Sequence, residues 1–311
     1  MTAARVVCVG IATIDAIALV DRLPAGGERL PAREAMLAGG GVAATAAVAL
    51  ARLGVPVAFV GRVGDDDAGR LVRDGLAAAG VDVAGLRTVP GRTPVTIVLV
   101  EADTGERALV PDTRGVPPIA LDNDDVARCD SAEWIHVDQT GYPALAGLRA
   151  AGVMAPVSLD GGNFVDALDL RTVDLYAPTE RALLARYPGH GLQGALRLAA
   201  AEGPRIVAVT RGAAGSIAAE RASTGEDPTV SAVAAPDVPI VSTLGAGDVF
   251  HGALLAALVE PHPLREALRW ANAAAALACR ALDGRAAIPD RSELEAFLSS
   301  QPQHPEVSHA P

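Results

Sequence analysis

Beyond residue 120, short apolar runs alternate with stretches of helical periodicity, and that alternation limits the fold more than any other feature of the chain. Residues 134–137, 156–160, 174–177 and 205–210 read as strands, with helices near 142–152, 179–187 and 193–202 between them. Strand and helix in strict turn build a parallel sheet through right-handed crossovers. Residues 5–11 form a nearly continuous apolar run, the pattern of a strand buried on both faces, and residues 57–61 form another. The fold class expected is therefore α/β, a doubly wound, mostly parallel sheet flanked by helices.

The first third adds a second theme. Residues 29–37 read as an exposed strand, and residues 93–100 and 106–110 bracket a hairpin turn at Asp103-Thr104-Gly105, followed by a loop over 111–118. With residues 16–37 they can supply a small β-sheet. Between them, 38–54 read as a glycine turn, an alanine-rich helix and a glycine stop. Residues 70–79 read as a helix, with Asp65-Asp66-Asp67 a charge run at its N-terminus rather than a cation site. Residues 220–229 read as an exposed loop and the tail from Ser299 as disordered. No internal repeat or low-complexity linker is found.

Composition removes whole function classes. No run approaches the ~18 apolar residues of a membrane span, and the first residues read as a strand, not a signal peptide. A net charge of −11 with pI near 5.0 argues against nucleic acid or an anionic membrane as partner. Cys8, Cys129 and Cys279 are isolated, so neither a disulfide framework nor a zinc site is expected, and a reducing cytoplasm fits. The chain has no lysine; its 26 basic residues are all arginine. A Walker A loop, a protein-kinase ATP lysine and a pyridoxal-phosphate Schiff base each need lysine and are excluded. Any phosphate clamp must use arginine, backbone N–H groups or a metal ion.

Chemistry concentrates at 239–259. A short strand end (residues 239–241) turns through Gly245 and Gly247 into a strong helix-forming run. Unpaired N–H groups and the helix dipole make such a turn an anion site. Asp248, in the first turn, can take a proton from a hydroxyl beside that site, or can simply cap the helix; the stretch alone leaves both readings open. Asp15, just past the first strand, can accept hydrogen bonds from sugar hydroxyls or serve as a loop residue. The single glycine at Gly10 disfavours a nicotinamide-binding GxGxxG loop. Thr210-Arg211-Gly212-Ala213-Ala214-Gly215 follows a strand, and can hold a phosphate chain or form an ordinary glycine hairpin.

Four stretches in sequence order carry a resemblance: Gly39-Gly40-Gly41 with the helix that follows, Gly61-Arg62-Val63-Gly64-Asp65-Asp66-Asp67-Ala68-Gly69, the 210–215 loop, and Thr243-Leu244-Gly245-Ala246-Gly247-Asp248. Together they resemble the signatures of the ribokinase-like (PfkB) family of carbohydrate and nucleoside kinases. The resemblance implies one kinase domain over 1–298 with a small β-sheet lid, formed by residues 16–37 and 92–114, that often dimerises. It implies ATP with Mg²⁺, Asp248 as catalytic base, and an anion hole at Gly245, Ala246 and Gly247. Asp15, Gly40, Gly41 and Thr45 would contact the sugar, although the family usually has Asn at position 45. Thr210, Gly212, Gly215, Asn272 and Thr243 would contact ATP, and Glu180 would reach the metal through water. Ser242 stands where the family has an Asp that helps hold a monovalent cation, which leaves K⁺ activation open. The sulfofructose kinase and ketohexokinase branches are most similar, and both act on ketoses. Because Asp138-Gln139-Thr140-Gly141 offers no sulfonate-binding arginine, a neutral ketose is the first expectation and a sulfonated or phosphorylated sugar the second; 2-keto-3-deoxy sugar acids, ribose and nucleosides stay open. A non-catalytic sugar or nucleotide sensor is the expectation from another class.

Overall fold

The alternation is realised in the computed structural model, which describes residues 3–221, 227–260 and 262–301. In chain order the elements are β1 (Val6–Val9), β2 (Thr13–Val20), β3 (Glu34–Gly40), α1 (Val42–Arg52), β4 (Val57–Gly64), α2 (Asp67–Ala78), β5 (Asp82–Val89), β6 (Val95–Glu101), β7 (Arg107–Asp112), α3 (Asn123–Asp130), β8 (Trp134–Val137), α4 (Leu145–Ala150), β9 (Val157–Asp160), β10 (Leu175–Ala177), α5 (Glu180–Arg186), α6 (Gly191–Glu202), β11 (Ile206–Thr210), β12 (Ser216–Glu220), β13 (Thr229–Val233), α7 (Ala246–Val259), α8 (Leu264–Ala278) and α9 (Arg291–Ser300).

The large sheet runs β13-β12-β11-β10-β9-β8-β1-β4-β5. Pairing is parallel from β11 to β5, and β12 and β13 are added antiparallel at one edge. Strand order reverses at β1, which lies between β4 and β8; ligands of such sheets bind outside the carboxyl ends near that point. The central strands β1, β8 and β9 are wholly buried, as their unbroken apolar runs require. Helix α7 is apolar all round because it packs between α1 and α8. Gly252 permits the α1 contact: a Cβ there would stand 2.5 Å from the Ala46 carbonyl oxygen.

The small sheet runs β3-β2-β6-β7, with β2 and β6 parallel and the outer pairs antiparallel. Its inner face packs Ile17, Val98 and Val100 against Leu244 and Leu282. The turn before α7 is thereby built partly by this sheet.

Several expectations need correction. Asp15 is not in a loop past β1 but inside β2, because the chain re-enters extended backbone at Thr13 to open the small sheet. Residues 239–241 form no strand; the Val241 and Ser242 N–H groups instead donate to the Cys279 carbonyl. Pro236 and Pro239 deny this stretch regular ladder donors. The helix expected over 142–152 is a 3₁₀ turn at Tyr142–Ala144 followed by α4. Strands β5, β12 and β13 were not anticipated, and β13 begins at Thr229, inside the expected loop; residues 222–226 of that loop lie outside the described residues. Helix α9 carries the tail's first residues, Ser299 and Ser300, while 302–311 lie outside the described residues. Asp66 caps α2 by accepting from Gly69 N–H, so the acidic run does serve a helix terminus. Among the described residues, no helix is long and apolar enough to cross a membrane.

Candidate active site

Helix α7 begins at Gly245, which adopts left-handed backbone (φ 72°, ψ −4°), and no side chain caps it. A Cβ at Gly245 would stand 2.9 Å from Gly284 Cα, while one at Gly247 would have nothing within 4 Å. One glycine is thus needed for backbone shape and a close approach, and the other leaves the helix N-terminus open. Ser242, buried, accepts from Leu244 N–H through Oγ (3.1 Å) and fixes the turn. Thr243 Oγ1 accepts from the Arg107 guanidinium, which reaches across from β7 of the small sheet.

Asp248 projects from the first turn of α7 and is half-buried. Its proton affinity is raised well above that of an ordinary carboxylate, chiefly by burial and then by Asp160, against the pull of His251, Arg107 and Arg285. A carboxylate held above its usual range beside open N–H groups is suited to accept a proton while anionic charge gathers at the helix terminus.

Asp15 faces the same region from β2. It is buried and accepts from Thr13 Oγ1 (2.7 Å); burial raises its proton affinity, while Thr13, Arg285 and Thr96 oppose the rise. Gly40 is glycine because a Cβ would overlap the Asp15 carboxylate. Gly41 has φ 94° and starts α1, and a Cβ there would come within 2.5 Å of the Ile11 carbonyl oxygen. Thr45, buried on α1, accepts from Arg285 Nε (3.1 Å), and Arg285 Nη2 donates to the Gly40 carbonyl (2.6 Å). The Thr45 hydroxyl therefore positions an arginine, which carries polar chemistry into the pocket where the family's Asn would stand.

Asp138 locks these pieces together. Wholly buried after β8, it accepts from Ile11 N–H (2.8 Å), Ala43 N–H (3.2 Å), Thr140 N–H (2.8 Å) and Gly141 N–H (2.9 Å). Burial pushes its pKa up to about 6 against those four donors. Gly10 is glycine because a Cβ would overlap this carboxylate, so its role is packing.

The nucleotide side is more mixed. Thr210 ends β11, and Gly212 (φ 56°) and Gly215 (φ 82°) shape a 3₁₀ turn into β12, so the loop is a glycine hairpin. A Cβ at Gly212 would meet nothing within 4 Å, which leaves that surface open, whereas one at Gly215 would clash with the backbone at 233–235. Asn272 donates from its amide to the Val233 carbonyl (3.0 Å), tying α8 to β13. Glu180 pairs with Arg211 (3.2 Å), and Thr179 caps α5 through Ala182 N–H (3.1 Å). Among the described residues, no group of three or more His, Cys, Asp or Glu side chains could hold a metal ion.

Arg285 reaches Thr45 and the Gly40 carbonyl and bears on both Asp15 and Asp248, and Arg107 reaches Thr243, so these contacts bring Asp248, Asp15, Gly40, Thr45 and Thr243 into one neighbourhood with Gly41 and the Gly245-Ala246-Gly247 turn. Sequence reasoning gave no role to Arg285, Arg107, Asp138, Asp160 or His251. The absence of lysine was the one usable signal, since it left arginine as the only strong cation for such a cleft.

Comparison with known proteins places this geometry. The pfkB family carbohydrate kinase model matches residues 3–291. The chain is 32% identical to the ATP-dependent ribose-1-phosphate kinase of Halopiger xanaduensis, over 96% of this chain and 99% of that protein. It is 31% identical to a fructokinase of Klebsiella pneumoniae, over 90% and 97% of the two chains. Among solved structures, Arabidopsis thaliana ribokinase complexed with ribose and ATP superposes with a TM-score of 0.78 at 28% identity, covering 96% of this chain and 100% of that one. Thermotoga maritima ribokinase superposes with a TM-score of 0.80 at 25% identity, covering 94% and 99%. The match over nearly the whole chain, and the ribokinase fold that goes with it, make this protein an ATP-dependent carbohydrate kinase of the PfkB family.

Proposed function

We propose that the enzyme transfers the γ-phosphoryl group of ATP to a hydroxyl of a small furanose-type sugar, a ketose such as fructose first among them, with Asp248 as the general base. The observation that carries this reading is the raised Asp248 carboxylate at the uncapped N-terminus of α7. Asp15 accepts hydrogen bonds from the sugar, in the space that Gly40 leaves free. As Asp248 removes the proton, the hydroxyl oxygen bonds to the γ-phosphorus while that atom's bond to the β,γ-bridging oxygen breaks and ADP leaves, and the N–H groups of Gly245, Ala246 and Gly247 stabilise the transferred charge. Thr210 and Gly212 lie beside the phosphate chain, and Thr243 and Arg107 close it from the lid side. Mg²⁺ bound with ATP would neutralise phosphate charge here, and Glu180 would reach it through water; among the described residues no carboxylate cluster could hold it directly.

The fructokinase and ribokinase relatives support a neutral acceptor. A specific feature favours a second reading, an acceptor that already carries an anionic group. Arg285 and Arg107 both approach Asp248, yet among the described residues neither has a carboxylate within 4.0 Å. A phosphorylated acceptor would satisfy them, in keeping with the ribose-1-phosphate kinase relative. ADP release with Mg-ATP across fructose, ribose, their monophosphates, 2-keto-3-deoxygluconate, sulfofructose and nucleosides, with Asp248→Asn alongside, tests both readings. Sugar-dependent release lost in the mutant supports the kinase and names its acceptor. No sugar-dependent release, with ATP still bound, would favour a sensor.

The small sheet carries the proposal of a homodimer. Leu37, Ala16, Ile97 and Val110 stand in one cross-strand row, with Leu37 and Val110 each 64% exposed. A second copy of the same sheet is the occupant that such a row fits. Val110→Glu should turn a dimer into a monomer in sedimentation; a wild-type monomer at high concentration refutes this.

A further inference from the structure

Beneath α7 lies a buried set of polar groups to which the phosphoryl transfer described above gives no task. His251 stands one turn after Asp248 on the same helix and reaches down to the ends of two central strands. Its Nδ1 lies 2.6 Å from Asp160 Oδ2 at the end of β9, and its Nε2 lies 3.0 Å from the Ala177 carbonyl at the end of β10. The Nδ1 contact is short but not aligned as a hydrogen bond, and a bare Nδ1 lone pair would face the carboxylate at that distance. A carbonyl oxygen can only accept, and a carboxylate at neutral pH can only accept. Both ring nitrogens therefore carry a proton, and the ring is an imidazolium. Asp160 is held further by Gly162 N–H at 2.8 Å.

His136 behaves differently. It lies behind His251 with ring centroids 5.9 Å apart, and its Nδ1 meets Ser158 Oγ at 3.2 Å, while its Nε2 has no partner among the described residues. Burial and the neighbouring His251 push its pKa down to about 3, so it stays neutral. One charged and one neutral histidine thus lie side by side, tilted by 35°, under the helix.

We propose that His251 is a positioning residue for phosphoryl transfer: its imidazolium, paired with Asp160, ties the first turn of α7 to the ends of β9 and β10 and offsets the Asp160 charge that would otherwise repel an ionised Asp248. The groups that face Asp248 are Asp160 from β9, His251 from α7, Arg107 from β7 and Arg285 after α8. The imidazolium offsets part of the Asp160 charge at Asp248, although Asp160 keeps the larger effect. Removing His251 alone leaves Asp160 bare. Removing both charges, or Asp160 alone with the imidazole then losing its proton, restores neutrality.

This rests on the reading of Asp248 as the base, and the test separates the two. The pH dependence of kcat/KM is compared for wild type, His251→Gln and Asp160→Asn/His251→Gln, with the sugar that supports turnover. The acid limb of His251→Gln should move up by about one to two pH units, as expected for one uncompensated charge roughly 6–12 Å away at an effective dielectric near 20. The double variant should return the limb to near its wild-type position. A purely structural role would lower stability and kcat without moving the limb, and an unmoved limb in a folded His251→Gln overturns the proposal. The protonation state has its own readout, which stands even if Asp248 is not the base. The ¹⁵N–¹H spectrum, assigned by difference against His251→Gln, should show both His251 ring nitrogens protonated at pH 8. A neutral ring there overturns the proposal independently of turnover.

Discussion

Asp138→Ala should unfold the molecule more readily by about 3 kcal/mol at pH 7.5, although the residue touches no reacting atom. The side chain accepts four N–H groups, three of them buried, from three separate segments: the end of β1, the first turn of α1 and the turn after β8. At about 1.5 kcal/mol for each N–H left without an acceptor, their loss costs roughly 6 kcal/mol. Against this stands the net cost of keeping the side chain ionised at pH 7.5, which already includes those four donors. The pKa rises from 3.8 to about 6, roughly two units, which corresponds to about 3 kcal/mol. The difference is the expected destabilisation.

The sign of the pH dependence follows from the raised pKa. The native state takes up this proton at a higher pH than the unfolded chain does, so the side chain's contribution is full below about pH 4 and is reduced as pH rises to about 6. The gap between wild type and Asp138→Ala should therefore widen toward about 6 kcal/mol as pH falls to 4. Urea unfolding followed by the fluorescence of Trp134 and Trp270, compared at equal m value, measures both quantities. A gap below about 1 kcal/mol at pH 7.5, or one that grows with pH, would refute this account of the lock.

Asp248→Asn should lower kcat by about 10²–10⁴ with the urea midpoint unchanged; retained turnover would remove Asp248 from the role of base. Gly40→Ala should push the Asp15 carboxylate from its place and raise KM for the sugar by roughly 10–100-fold while KM for ATP holds; steady-state kinetics with each substrate varied in turn would show whether the two constants move separately. The buried Ser242 hydroxyl is engaged with Leu244 N–H and offers no carboxylate to a cation, so kcat should be the same in potassium and tetramethylammonium buffers; strong activation by K⁺ would show another set of ligands at work.

The parts of this molecule that could be read in advance are those whose environment the local chain builds by itself. Strands such as Trp134–Val137 announce burial on both faces through an unbroken apolar run. Asp248 announces itself because the glycines and the helix beside it create the anion site within a few residues. Strand β2 was expected only from residue 16, within the 16–37 segment, because Thr13 and Asp15, which hydrogen-bond to each other, interrupt the apolar pattern at its start. Arg285, Arg107 and Asp138 escaped because their meaning lies in contacts 240, 136 and 127 residues away along the chain.

The triplet Gly39-Gly40-Gly41 shows why a motif can be correct about place and incomplete about cause. As letters the three are equivalent, and the resemblance assigns the second and third to the sugar. In the folded chain, Gly39 lacks a side chain because a Cβ would stand 2.5 Å from Arg285 Nη1, Gly40 because the Asp15 carboxylate occupies the space, and Gly41 because the backbone turns through φ 94° into α1. Only the last reason is local, and only it could be read from the sequence as a turn. The first two reserve room for the Arg285 guanidinium and the Asp15 carboxylate. Substituting Gly39 should therefore act through Arg285 and substituting Gly40 through Asp15, so these neighbouring changes should alter acceptor binding by different routes.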